Sequence, residues 1–462
     1  MRCALVCLVV AIGLLLPGSA AAEAPADSTR ISYWGPFPER ADSVMARGGT
    51  IERDAWEYPV DALWWIVRMP FEILRGGLRV TTVWLDESGT LERILDFIAP
   101  LDLPYGFVFG GAIGRLSGVA GTVGFFHDDF LVDGGRFRAT STVTSTSSRR
   151  IAGGLVLPAA RGGSIEVGGG YRVRTRARYF GLGPGAPESG ESYFTRELGW
   201  AGLGYRQSLG AFDTRLEADV LWSSVTSRQP DLDDFDGVAL SDRFEGDLPA
   251  GYGRESQGLN YDIGLVRDTT VQEGRPRAGS LQVLRASWYV PEDDAEADYV
   301  QYRAEYQQFF DLWWDRSLAV RSFWSYMDSD DEAIHFQRLM TNDDPDLLRG
   351  FEDFRWRDRG MTALSLEYRW PVWDYRDPGA VTLDAYTFYD GGQVFGNRRE
   401  IALEELAHSY GFGFRLSVYE RFYFRVEAGF SEEDTVLRLR GDQMFQFGKD
   451  GLYHGRDPIP VR

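Results

Sequence analysis

A chain of 462 residues with a formal net charge of −20 offers no basic face for phosphates, which excludes nucleic-acid binding. Aromatic residues make up 14 % of it and glycines number 53, both high for an ordinary soluble domain. The length would suggest two or three domains, but all-β barrels commonly exceed the usual size for one.

The first residues, MRCALVCLVVAIGLLLPGSAAAEAP, combine Arg2, an apolar run from about Ala4 to Leu16 and a small-residue end at Ala20-Ala21-Ala22. This pattern predicts a secretory signal over 1–22, too short and wrongly flanked for a spanning helix. Cys3 and Cys7 both fall inside it, so the exported chain is expected to carry neither disulfides nor thiol chemistry. No other stretch approaches ~18 uninterrupted apolar residues, which excludes a helical membrane protein. Residues 23–104 have a character of their own. DALWWIVRMPFEILRGGLRV is apolar but broken by Arg68, Pro70, Glu72 and Arg75, which suits short amphipathic helices. SGTLERILDFIAP adds another, with Ser88 as N-cap and Pro100 as stop. The region is predicted to be a small helical periplasmic segment, a plug or lid.

From Tyr105 onward the period changes to two. In MTALSLEYRW, Thr362, Leu364, Leu366, Tyr368 and Trp370 share one face, while Ala363, Ser365, Glu367 and Arg369 share the other. SYGFGFRLSV sets Phe412, Phe414, Leu416 and Val418 against Gly411, Gly413, Arg415 and Ser417. RFYFRVEAGF sets Phe422, Phe424, Val426, Ala428 and Phe430 against Tyr423, Arg425, Glu427 and Gly429. Apolar faces with aromatics crowded towards the strand ends, opposite faces carrying charge, and segments of roughly ten residues describe a transmembrane β-barrel better than a sandwich. Sixteen strands are predicted, at about 105–114, 117–128, 134–147, 150–159, 163–179, 192–209, 212–227 and 252–268. The rest fall at 279–291, 298–312, 316–328, 361–373, 380–395, 406–418, 421–431 and 435–448. The barrel then occupies 105–448, with a tail at 449–462. With both ends periplasmic, the long acidic connections QPDLDDFDGVALSDRFEGD and PEDDAEAD follow odd strands, on the outside. The short turns DLWWDRS, DYRDPGA and YER follow even ones.

Enzyme signals are thin. His127, His335, His408 and His454 form no metal-spaced pair, and neither a G-x-S-x-G elbow nor a phosphate-binding loop is present. DLDDFDGVAL fails as a calcium loop, because Leu232 takes the first ligand position and Arg243 the last. No catalytic residue, metal or cofactor is therefore assigned. In YRVRTRARYF, Arg172, Arg174, Arg176 and Arg178 fall on one face of a predicted strand. Each would cost ~2–4 kcal/mol facing lipid at the midplane, so they must face the lumen. They form either an anion-attracting wall or a ladder neutralised by lumen carboxylates such as Glu367, Asp384 or Glu427.

The loop DPDLLRGFEDFRWRDRG, residues 344–360, is bulky and charged where surface loops are usually small and polar. TFYDGGQVF places Phe388, Asp390 and Gly392 on one side of a strand, together with Asp384. A carboxylate enclosed in a barrel needs a cation, and an arginine folding inward from the loop supplies one through short paired hydrogen bonds.

Three features now resemble one family. Leu348-Arg349-Gly350-Phe351 matches its V/L-R-G-F/Y loop motif, Glu367 in LEYRWP matches its acidic residue ahead of a proline, and Phe388, Asp390 and Gly392 match its F/W-x-D-x-G strand motif. RYFGLG (Arg178 to Gly183) and RDTTVQEGRPRAGS, with Arg267, Asp268 and Gly279, are similar to its earlier patterns. The chain from about 105 to 448 thus resembles the BamA/TamA-type outer-membrane barrel assembly and translocation superfamily, the bacterial surface antigens. The resemblance implies that the loop folds back through the lumen, that Arg349 pairs with Asp390 and Glu367, and that Gly350 permits a tight turn. It implies a bacterial outer-membrane location and a non-enzymatic role in inserting, assembling or translocating proteins or lipids. Its means would be local bilayer thinning and a weak seam between the first and last strands. Implied partners are outer-membrane lipid or lipopolysaccharide, unfolded outer-membrane protein clients and periplasmic accessory proteins. Two features depart from the family. Residues 23–104 do not read as the β-α-α-β-β POTRA pattern of client-handling members, and the chain runs past Phe445 and Phe447 rather than ending on an aromatic. A passive pore or structural barrel that kept the scaffold without client activity is the alternative.

Overall fold

The computed structural model describes residues 104–440 apart from 115–117, 211–212, 234, 271–275, 314, 331–333, 343–346, 376–380 and 419–421. The predicted signal, the helical segment up to residue 103, the end of the last predicted strand and the tail lie outside the described residues.

Alternation governs what forms. In the strand Gly360–Tyr375, Ala363, Ser365, Glu367 and Arg369 are buried while Leu364 and Leu366 are exposed at 41 % and 37 %. A period-two sequence can satisfy such a split only as a strand with two different surroundings. Sixteen strands of this kind form one antiparallel sheet in chain order. They are β1 (Tyr105–Gly114), β2 (Gly118–Asp128), β3 (Arg136–Thr144), β4 (Arg149–Ala159), β5 (Gly163–Tyr179), β6 (Ser192–Ser208), β7 (Thr214–Arg228) and β8 (Glu255–Asp268). The series continues with β9 (Gly279–Pro291), β10 (Tyr299–Asp311), β11 (Ser317–Asp328), β14 (Gly360–Tyr375), β15 (Val381–Phe395), β16 (Ala407–Val418), β17 (Phe422–Ser431) and β18 (Thr435–Arg440). Two further strands, β12 (Met340–Thr341) and β13 (Arg357–Asp358), pair with each other inside the 329–359 connection, a pairing the alternation does not predict. The third strand is shorter than predicted, because 134–135 and 145–147 belong to turns.

The outward face carries Phe107, Val123, Val143, Ile151, Leu203, Val220, Ile263, Trp288, Leu366, Phe412, Val426 and Leu437, all exposed. That is the apolar band a bilayer requires. The inward face is polar. Arg206 pairs with Asp219 at 2.5 Å and reaches Glu166 at 3.5 Å, while Arg285 bonds Glu217 and Asp219. Further round, Arg321 meets Glu305 at 2.9 Å and Arg415 meets Asp384 at 2.9 Å. Opposite charges on neighbouring strands let a lumen of this composition form without a free buried ion.

The sheet curls until β1 and β18 lie side by side. Among the described residues, the hydrogen-bonded order runs from β1 to β18 without a ladder returning from β18 to β1.

Candidate functional site: the lumen loop and its anchors

The connection between β11 and β14 folds inward. Its apolar residues Ile334, Leu339, Met340, Leu347, Leu348, Phe351 and Trp356 form one buried cluster with Tyr289, Tyr299, Phe323, Met361 and Val394 of the wall. Phe351 and Trp356 meet edge to face, with ring centroids 4.5 Å apart. Asn342 fixes the loop's own shape, donating to the Glu352 carbonyl at 2.9 Å and accepting from the Trp356 amide at 3.1 Å.

At the tip, Arg349 is fully buried. Its backbone N–H, Nε and Nη2 all donate to the Asp390 carboxylate, at 2.9, 2.9 and 2.7 Å, and its Nη1 donates to Glu367 Oε2. The guanidinium lies 3.7 Å from the centre of the Phe388 ring, a cation–π contact. Glu367 also accepts from Arg369 Nε at 2.6 Å, so two cations and two carboxylates form a neutral set. Gly392 sits further along β15, where a Cβ would lie 2.7 Å from the Thr362 carbonyl oxygen.

The expectation for Gly350 needs correction. It is not among the residues of positive φ; Leu348, with φ 53°, makes the left-handed turn beside it. What Gly350 supplies is space, since a Cβ there would lie 2.5 Å from Ser409 Cβ and 2.7 Å from the Phe430 carbonyl oxygen. A backbone oxygen cannot swing away as a side chain can.

The arginine row on β5 also differs from expectation. A register shift between Arg174 and Ala177 breaks the alternation. Arg178 pairs with Glu352 of the loop at 2.6 Å and with Glu191 at 3.0 Å. Arg174 stacks over Phe354, 4.7 Å from its centre. Arg176 donates to the carbonyls of Asp231 and Asp233 and lies over Phe235. Arg172 faces Arg150 across the β4–β5 ladder. The anticipated partners are engaged elsewhere: Glu367 with Arg349 and Arg369, Asp384 with Arg415, and Glu427 with Tyr386. Three of the four arginines therefore hold outer connections rather than line a pore. The RYFGLG segment completes this dock, with the Gly183 amide donating to the Arg357 carbonyl at 2.9 Å and Arg355 lying 5.1 Å from the Phe180 ring centre. Arg267 and Asp268 end β8 at the other rim, and Gly279 opens β9 with φ 94°.

Two anchors escape a reading of the sequence. Arg338, in the loop, donates to Ser256 Oγ at 2.6 Å and Ser223 Oγ at 3.2 Å, and stacks 3.8 Å from the Tyr289 ring centre. Nothing in the run HFQRLM marks it, because its partners come from three other strands and connections. Arg438, on β18, binds the loop carbonyls of Arg349 and Phe351, and its alternation with Leu437 and Leu439 was a usable signal. Near the loop base, burial and the adjacent Arg338 push His335 down to about 4. Burial and the neighbouring Glu400 push Asp358 up to about 6.

The profile described as the Omp85 superfamily domain matches residues 137–447. Among solved structures, the chain is similar to BamA from Haemophilus ducreyi lacking POTRA domains 1-3, with 13 % identity and a TM-score of 0.52 over 73 % of this chain and 69 % of that one. It is also similar to CdiB from Escherichia coli, with 13 % identity and a TM-score of 0.53 over 74 % of this chain and 61 % of that one, less than two thirds of its length. At such identities the likeness concerns the fold alone. No curated protein sequence matches.

Proposed function

The chain belongs to the Omp85 superfamily, whose members are non-enzymatic outer-membrane insertion and transport proteins, and on that premise we propose that it opens laterally between β1 and β18 to assist the insertion or translocation of other proteins. The observation that carries this reading is the pair of edges, β1 and β18, that no ladder joins among the described residues. The two strands lie side by side. An unpaired edge is a template for a further strand, and in a bilayer every such edge must find a partner. An unfolded outer-membrane strand has the complementary groups. The lumen loop fits the same reading, because its anchors on β5, β7, β8, β14 and β15 brace the wall away from the seam while Arg438 ties it to β18. In this scheme residues 1–22 direct export, residues 23–104 act as a periplasmic plug or lid, and periplasmic accessory proteins deliver the client. Lipopolysaccharide and outer-membrane lipid surround the seam, where the bilayer thins.

The test joins the two edges. Cys3 and Cys7 are the only cysteines, so a pair introduced into 105–114 and 435–440 can be oxidised cleanly. Loss of growth and of outer-membrane protein levels on oxidation, restored by reductant, is the expected result. Unchanged growth and unchanged protein levels would overturn the proposal. Ion conductance that persists in that case would identify a passive pore.

A further inference from the structure

We infer that Arg438 is a positioning residue that ties the lumen loop to the seam, so that opening the barrel and releasing the loop are one coupled event. This rests on the lateral-opening reading above. Arg438 faces inward from β18 and is buried, between outward-facing Leu437 and Leu439. Its Nη1 donates to the Arg349 carbonyl, its Nη2 to the Phe351 carbonyl at 2.7 Å, and it reaches Asp353 Oδ1 at 3.1 Å. The two carbonyls flank Gly350, in the same triplet whose arginine is held by Asp390 and Glu367. One short segment is therefore gripped from two sides: by β14 and β15 through its side chain, and by the last strand through its backbone.

Two further contacts place the loop against the last hairpin. Gly429 on β17 leaves room for the loop backbone, since a Cβ there would lie 2.8 Å from the Arg349 carbonyl carbon and 2.9 Å from Gly350 Cα. In the β17–β18 turn, Glu433 accepts from Arg355 Nε and Nη2, each at 2.7 Å. The β17–β18 ladder pairs Arg425 to Phe430 with Thr435 to Arg440, and β18 has no ladder on its other side among the described residues. The loop thus supplies ties to β18 from inside the barrel where, among the described residues, no ladder supplies them from the side.

If β18 swings away from β1, its guanidinium must leave two buried carbonyls, which then have no donor. Linkage is reciprocal: whatever loosens the loop loosens the last strand, and whatever pairs with β18 and displaces it loosens the loop. Arginine suits the task because its planar fork reaches two acceptors at once, whereas a lysine offers a single point of charge.

The coupling is measured by amide hydrogen exchange on the purified, folded full chain in the absence of any client. In Arg438→Ala, the amides of 435–440 are expected to exchange on the order of tenfold faster, and those of 347–351 to lose protection by a clearly smaller factor because the Asp390 pair still holds the triplet. Arg438→Lys should fall between wild type and Arg438→Ala. In Arg349→Ala both segments should lose protection. Unchanged protection of 435–440 in Arg438→Ala overturns the inference. So does equal loss in 347–351, which would make Arg438 merely part of the loop's own clasp. Should Arg438→Ala fail to fold, Glu433→Ala removes the other tie at the partly exposed turn. It is expected to speed exchange at 432–437, and no change there likewise overturns the inference. A failed seam crosslink would remove lateral opening and leave this exchange result standing, so the two failures can be told apart.

Discussion

Arg349 engages each nitrogen of its fork with carboxylates that are themselves buried, which makes its removal asymmetric. A buried ion pair contributes little net stability against its desolvation cost, but deleting one partner strands the other and costs ~3–5 kcal/mol. Arg349→Ala should therefore lower the temperature at which the folded barrel loses its compact gel migration, and Arg349→Lys should lower it by a large part of that amount, because an ammonium cannot reproduce the planar fork that grips both oxygens of Asp390 while reaching Glu367. Migration unchanged in both variants would show that the loop is held by its apolar cluster alone. A second residue-scale effect concerns pH. His335 is held neutral, so its contribution to stability is complete above the ordinary histidine value and is lost as pH falls towards about 4. Asp358 has the opposite sign: its raised value makes the folded state favour the protonated acid, a contribution present at low pH and lost as pH rises through about 6. The two offset one another across the same window. Asp358→Asn should raise the thermal midpoint at neutral pH, have little effect near pH 4, and leave a steeper decline on acidification. A parallel shift at all pH values would count against this assignment.

Among elements, the strands were legible because two environments, lipid and a polar interior, impose a period of two that no other local pattern imitates. β14 displays this most simply, with outward Leu366 set between Val320 of β11 and Tyr389 of β15 in the ladder. Leu366→Arg should destabilise the barrel by ~2–4 kcal/mol, as for any charge placed on the lipid face near the midplane, whereas Leu366→Phe should be close to neutral. Equal losses in denaturant titrations of both would argue that the face is packed rather than lipid-facing. The 329–359 loop was legible only in part. Its RGF triplet and the carboxylates awaiting it were visible as motifs. The β12–β13 pairing and the Arg338 anchor on β7 and β8 were not, since both depend on residues distant in sequence. The β5 arginines show the same limit: the pattern indicated that they must avoid lipid but not which carboxylates they would meet.

At the scale of the whole molecule, sixteen antiparallel strands in chain order leave a single place where first meets last. The anchors of the loop are distributed unevenly around it. Arg338 fixes the loop to β7 and β8, Arg178 to β5, Arg349 to β14 and β15, and Arg438 to β18. On the proposed lateral opening, a client strand arriving at the seam would meet in β18 an edge tied to the interior through Arg438. The crosslink and exchange experiments address the seam and this tie separately. Membership of the superfamily accounts for the scaffold.

The sequence by itself determined that sixteen alternating strands form the barrel and which residues of strands such as β14 face inward, because lipid on one side and a polar interior on the other impose a period of two. The pairing of Arg349 with Asp390 and Glu367 was implied by the resemblance to the family, and the hydrogen bonds of the loop tip agree with it. Only the tertiary structure decided that Gly350 provides clearance rather than a turn, that the β5 arginines hold outer connections, and that the last strand grips the loop through Arg438. Those outcomes depend on distances between segments many residues apart, and chain closure, not local pattern, sets such distances.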